Sequence, residues 1–140
     1  MKLRELLQRL EYQTALPDLE ITGVTSDSRQ VREGYLFVAI KGGRFDGHDH
    51  AAQAVQNGAA AVVCQHDVGL ACQVLVPDSR YAYGILAANW FGNPAGELKL
   101  VAVTGTNGKT TTTYLMRHIL EKTGHPTGLI GTIHNEIGAI

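Results

Sequence analysis

The sequence is poor in several things. Its 140 residues include two cysteines, four prolines, one tryptophan and 6% aromatic residues, and the formal net charge is -1. Each shortage excludes something. Cys64 and Cys72 sit in or beside apolar segments without C-x-x-C spacing, so neither a disulfide framework nor a zinc knuckle is expected, and the thiols read as reduced and packed. A near-neutral charge and a pI near 6.6 leave no electrostatic footprint for nucleic acid or an anionic membrane. No apolar run approaches the about 20 residues a membrane span needs. The opening Met-Lys-Leu-Arg-Glu-Leu-Leu-Gln-Arg-Leu alternates charge with leucine where a signal peptide needs an unbroken apolar core, and a cytoplasmic location is expected. With 44% hydrophobic and 18% charged residues, the composition is that of an ordinary globular protein.

What is present centres on residues 98–113. The apolar run Leu100–Val103 is predicted to be a strand. It leads into Thr104-Gly105-Thr106-Asn107-Gly108-Lys109-Thr110, after which Leu115, Met116, Ile119 and Leu120 recur with helical spacing. Strand, glycine loop and helix make an anion cradle. Glycines let backbone N–H groups turn inward, the helix start adds its positive dipole end, and Lys109 supplies a full charge. A lysine beside Gly108 at a helix start opposes the dipole unless an anion is bound, which disfavours reading it as a merely solvated turn residue. The strict G-x-x-x-x-G-K-[ST] pattern is not met, because Val103 stands where its first glycine would be; the shorter T-G-T-N-G-K-T begins at Gly105.

The rest of the chain reads as a small α/β unit. An amphipathic helix is expected over residues 2–11, with Leu3, Leu6, Leu7 and Leu10 on one face. Strands are expected at Ile21–Val24, Tyr35–Ile40, Ala59–Cys64 and Cys72–Val76. A helix capped by His48 or Asp49 should run to Asn57 and end at a left-handed Gly58, and another should run from Ser79 or Arg80 to Phe91 with Ala82, Ile85, Leu86 and Trp90 inward. Gly92-Asn93-Pro94-Ala95-Gly96 is expected to be a linker, placing a domain boundary near residue 95. Residues beyond it supply too little to bury both faces of a sheet, so the chain reads as a complete first domain and the start of a second.

Two polar stretches of the first domain hold chemistry. Thr25-Ser26-Asp27-Ser28-Arg29 suits hydrogen bonding to a polar, oxygen-rich ligand from a strand end, and it equally suits a local turn in which Asp27 holds Arg29. Lys41-Gly42-Gly43-Arg44-Phe45-Asp46-Gly47 combines free backbone amides and two cations, suited to a diphosphate, with a phenylalanine that either stacks on a flat base or folds onto the core. The usual burial of aromatic side chains favours the second role for Phe45. His48-Asp49-His50 lacks the spacing and further ligands of a metal site.

These motifs together resemble the Mur ligases, ATP-dependent amide-forming enzymes of peptidoglycan synthesis. The resemblance rests on T-S-D-S-R at Thr25–Arg29, Gly34 with Leu36–Ala39, Asp46-Gly47-His48 and the loop Thr-Gly-Thr-Asn-Gly-Lys-Thr-Thr-Thr. The loop letters and Gly128-Leu129-Ile130-Gly131-Thr132-Ile133 look most like the branch that adds the third residue of the peptide. The resemblance implies an N-terminal UDP-sugar-binding domain over residues 1–95 and, over 96–140, the first βαβ part of a P-loop central domain. It implies substrate contacts at Ser26, Ser28, Gly43, Arg44 and Phe45, ATP contacts from Gly105, Thr106, Asn107, Gly108, Lys109, Thr110 and Thr111, catalytic roles for Lys109 and Thr110, and Mg²⁺ on Thr110. The implied reaction activates the glutamyl carboxylate of UDP-N-acetylmuramoyl-L-alanyl-D-glutamate as an acyl phosphate, which the amine of meso-diaminopimelate or L-lysine displaces. A monomer is expected, and the 140 residues alone should lack ligase activity. The branch that adds D-Ala-D-Ala, and a non-catalytic nucleotide switch, are the alternatives.

Overall fold

The computed structural model describes residues 1–43, 45–133 and 135–137. The chain divides into two compact units, Met1–Leu98 and Lys99–Ile140. In the first, strands β1 (Gly23–Thr25), β2 (Tyr35–Val38), β3 (Ala59–Cys64) and β4 (Gln73–Leu75) form a wholly parallel sheet in the order β1-β2-β3-β4. Parallel strands need covered faces, and both are covered. On one side Leu36, Val38, Ala61, Val63 and Val74 pack with Leu3, Leu6 and Leu7, around helix α1 (Leu3–Leu6), and with Ala82 and Leu86 of α3 (Ser79–Trp90). On the other, Phe37, Ala39, Val62 and Cys64 pack with Ala51 and Ala54 of α2 (Ala51–Gln56). The two-residue alternation of Leu36, Phe37, Val38 and Ala39 decides which face each residue serves. Full burial of a side chain such as Phe37 contributes about 1.5–3 kcal/mol. A register shift between Tyr35 and Leu36 lets Ala59 pair with Tyr35 and Ala61 with Leu36, so both β3 residues reach opposite cores.

The α/β class and the four strands match the sequence reading, while several boundaries differ for tertiary reasons. The helix expected over residues 2–11 is only α1. Asn89 Nδ2 donates to the carbonyls of Leu6 and Gln8 at 2.8 and 3.0 Å, and Arg9, at φ +68°, donates to Asn89 Oδ1, so the chain is captured before a second full turn can form. Ile21 is not in β1, because its amide bonds Met1 and Glu20 bridges Lys2, drawing this stretch toward the chain start. The outer edge of β4 is met by Gln13, whose amide and carbonyl pair with those of Leu75. Gly58 has φ +104°, as expected, and a Cβ there would lie 2.9 Å from Glu33 Cα. On α3, Asp78 accepts from the amides of Arg80 and Tyr81 as N-cap. Ile85 and Trp90 are only half-buried, and Asn89 is buried in their place.

The second unit contains α4 (Lys109–Lys122) and an antiparallel pair, β5 (Gly128–Ile130) with β6 (Asn135–Ile137). The strand expected at Leu100–Val103 joins no ladder among the described residues, and Leu100 and Val101 are exposed. A strand is defined by its neighbour, and β5 pairs with β6 rather than with this run. The helical stripe is also rotated: Leu115 and Ile119 are exposed, while Met116 and Leu120 are half-buried.

Candidate functional site

In an open parallel sheet, ligands gather outside the carboxyl ends of the strands. Here the segments that leave β1 and β2 form a cleft of about 540 Å³ at that edge. Ser26, Asp27, Ser28 and Arg29 line one wall, Gly42, Phe45 and Gly47 another, and His50 and Gln53 close it from the helical side. Thus Ser26, Ser28 and Phe45 are brought together, and Gly43 lies exposed beside them with nothing within 4 Å of an added Cβ. Arg44 lies outside the described residues.

The first wall is set by Asp27. Its carboxylate caps the 3-10 turn Ser28–Gln30 by accepting from the amide of Arg29, and it receives the Arg29 guanidinium at 2.9 and 2.8 Å. Those hydrogen bonds, side chain first and backbone second, hold the Asp27 carboxyl down at about 2. The local-turn reading of the pentad is therefore correct, and the turn forms a cleft wall. Asn57 Nδ2 donates to Ser28 O at 3.1 Å and ties that wall to the end of α2.

The second wall is a tight reversal. Lys41 bridges Asp46, the amide of Gly42 donates to Phe45 O at 2.8 Å, and that of Gly47 donates to Ile40 O at 3.0 Å. A Cβ on Gly47 would sit 2.6 Å from Ile40 N, so only glycine permits this closure. Phe45 does not fold onto the core as burial statistics favoured: it is 77% exposed at the rim of the cleft. The tight turn spends the chain's reach on its own backbone bonds and leaves the ring outside.

The helix start following this loop also differs from expectation. Asp46, not His48 or Asp49, is the cap: its carboxylate accepts from the amide of His48 and begins the 3-10 turn Gly47–His50. His48 is instead a buried interior residue. His50 and Gln53 were missed as lining residues, although their three-residue spacing at a helix start was a usable signal.

In the second unit, Gly105 and Gly108 take φ +144° and +76°, conformations that favour glycine. Helix α4 begins at Lys109 with no side-chain cap, and its first backbone bond into the helix is Thr112 N–H to Gly108 O at 2.9 Å. Its leading amides are thus available to an anion. Lys109 Nζ folds back to donate to Gly105 O at 2.5 Å, spanning the loop. A hollow of about 130 Å³ beside it is lined by Lys109, Thr110, Thr113, Tyr114, Gly131 and Thr132. Uncapped amides, a primary ammonium and a threonine hydroxyl around one hollow are the donors that a phosphate chain and a hard divalent cation require, so these residues fit ATP with Mg²⁺.

Residues 20–90 match the family described as Mur ligase family, catalytic domain, and residues 103–139 match the Mur ligase middle domain. The chain belongs to the Mur ligase family. Similarity among Mur ligases is strong at the level of individual relatives. The chain is 46% identical over 145 positions to the UDP-N-acetylmuramoyl-L-alanyl-D-glutamate--2,6-diaminopimelate ligase of Syntrophomonas wolfei, an alignment covering 100% of this chain and 30% of that protein. Among solved structures it is similar to a ligase of the same name, with TM-score 0.73 and 28% identity over 98% of this chain and 28% of the other. It is also similar to MurF of Thermotoga maritima in complex with ADP, with TM-score 0.52 and 36% identity over 76% of this chain and 25% of that one. The chain spans about 30% of the length of the curated relatives it matches.

Proposed function

We propose that the protein is an ATP-dependent ligase of peptidoglycan precursor synthesis, which joins 2,6-diaminopimelate to the glutamyl carboxylate of UDP-N-acetylmuramoyl-L-alanyl-D-glutamate. The observation that carries this reading is the presence, in one Mur ligase chain, of a polar cleft at the carboxyl ends of β1 and β2 and of an uncapped, lysine-bearing glycine loop at the start of α4. The names of the curated relatives support diaminopimelate as the added amino acid, and the ADP complex of a structural relative supports the nucleotide.

The first unit, residues 1–98, takes the role of the UDP-sugar domain. Ser26 and Ser28 offer hydroxyls to the uridine, the exposed ring of Phe45 offers a stacking face, and the backbone amide of Gly43 with Arg44 meets the diphosphate. The second unit holds the phosphates of ATP. Lys109 would offer its charge to the β- and γ-phosphoryl oxygens, the amides of Gly105 to Thr111 would hold the phosphate chain, and the Thr110 hydroxyl would be the ligand for Mg²⁺. When bound, ATP with its metal supplies the phosphoryl group that activates the carboxylate. The same reading places the enzyme in the cytoplasm as a monomer; among the described residues no helix is long and apolar enough to cross a membrane.

The test is a full-length enzyme assay for ADP release and product mass with ATP and Mg²⁺. Offering UDP-dipeptide with diaminopimelate or L-lysine, and UDP-tripeptide with D-Ala-D-Ala, separates the branches of the family. Turnover confined to UDP-dipeptide with diaminopimelate supports the proposal, and turnover confined to UDP-tripeptide overturns it.

A further inference from the structure

His48 belongs to neither the cleft lining nor the phosphate loop, yet its ring is among the most completely partnered polar groups of the first unit. Its side chain is 4% exposed. Nδ1 lies 2.5 Å from Asp46 Oδ1, and Nε2 accepts the backbone N–H of Gln65, at 3.0 Å, just beyond the carboxyl end of β3. Because Gln65 N–H can only donate, Nε2 must be bare, and the neutral ring carries its proton on Nδ1, facing the carboxylate. His66 stacks over the ring with centroids 4.3 Å apart and planes 23° apart, closing it from solvent. Gln65 continues outward: its Oε1 accepts from Ser79 Oγ at 3.1 Å and its Nε2 donates to Pro77 O at 3.3 Å. Asp46 in turn closes the 41–47 reversal through its bridge to Lys41.

We propose that His48, as its Nδ1-protonated tautomer, is a positioning residue for the UDP-sugar substrate, fastening the Gly42–Gly47 wall of the cleft to the carboxyl end of β3. The inference rests on the reading of that cleft as the UDP-sugar site. Without the imidazole, the described residues still hold the reversal at its base through its own backbone bonds, the Asp46 carboxylate on the His48 amide at 3.0 Å, and Arg80, whose guanidinium donates to Lys41 O at 3.0 Å, but its tie to the carboxyl end of β3 through Gln65 is lost. Phe45 and the neighbouring amides then sample positions that do not meet the ligand, and the loss falls on substrate affinity rather than on the phosphate chemistry of the other unit.

The experiment uses the full-length enzyme. Steady-state kinetics are compared for wild type, His48→Ala, His48→Asn, whose amide can still donate to Asp46, and His48→Gln, whose carbonyl can still accept from Gln65. His48→Ala should raise KM for UDP-dipeptide about tenfold, the size of one lost buried hydrogen bond, with kcat and KM for ATP unchanged, and one or both amide variants should recover part of the loss. Unchanged KM for UDP-dipeptide in His48→Ala, or equal damage to ATP and UDP-dipeptide kinetics, overturns the proposal. Should the alanine variant fail to fold, ¹⁵N-resolved imidazole spectra of the wild type decide: a protonated Nδ1 and bare Nε2 support it, and a protonated Nε2 overturns it. Wild-type enzyme that binds neither UDP nor UDP-dipeptide refutes the cleft assignment itself, a result distinct from either outcome for His48.

Discussion

The carboxylate of Asp27 receives both the Nε and Nη2 protons of Arg29, at 2.9 and 2.8 Å, while the same group caps the turn in which Arg29 lies. The pair builds a cleft wall from three consecutive residues, and it makes the ionisation of Asp27 a direct reporter of that wall. The folded-state value near 2 lies below the ordinary 3.8, so the stabilisation is complete above the ordinary value and is lost as pH falls toward 2. Carboxyl carbon shifts followed by NMR should show Asp27 still ionised at pH 3.5, and Arg29→Ala should move its midpoint up toward 3.8. An unchanged midpoint would remove the guanidinium from the account.

Replacing Lys109 by alanine in the full-length enzyme should lower kcat for ADP formation by about 10²-fold or more, the scale on which one preorganised charge donor acts. Binding of UDP-dipeptide, measured by calorimetry, should be unaffected, because Lys109 belongs to the second unit and the cleft to the first. Normal turnover by this variant would contradict the phosphate-loop assignment.

Phe45 separates stability from binding. Since its ring is exposed, Phe45→Ala should change the urea midpoint by no more than about 0.5 kcal/mol equivalent. Loss of base stacking should weaken UDP affinity by about 1–3 kcal/mol. Equal affinity of wild type and variant for UDP would show that the ring takes no part.

The opposite split is expected at Asn89, which is buried and holds the carbonyls of Leu6 and Gln8 as well as Arg9. Asn89→Leu leaves these groups without their partner and should destabilise the chain by about 1–3 kcal/mol in urea unfolding. KM values of folded enzyme should remain as in the wild type.

Cys64 is buried on the sheet, and burial, reinforced by Asp67 and Cys72, pushes its thiol up to about 11. Iodoacetamide at pH 8 should therefore label Cys72 in the native protein and reach Cys64 only after unfolding. Mass spectrometry showing equal labelling of both would contradict the burial.

What could be read from the residues was what is decided locally. The periodic apolar positions after Ser79 mark α3, and Gly58 marks the end of α2, because each signal lies within a few residues of its effect. The hydroxyl pentad and the glycine loop were legible for the same reason: their chemistry is carried by adjacent side chains. Residues 2–11 were misjudged because Asn89, about 80 positions away, ends the helix. The run Leu100–Val103 has strand composition, but pairing partners are a property of the fold and not of the run. His48 was mistaken for a cap because its decisive partner, the amide of Gln65, is invisible to local spacing.

Gln65 touches His48 through its backbone and Ser79 and Pro77 through its side chain, so the two sides of the sheet are stitched at a single residue. A change in the first turn of α3 therefore bears directly on the residue that holds the imidazole of His48, on the far layer. If the cleft is the nucleotide-sugar site proposed above, position 65, which does not line it, is a remote handle on its grip.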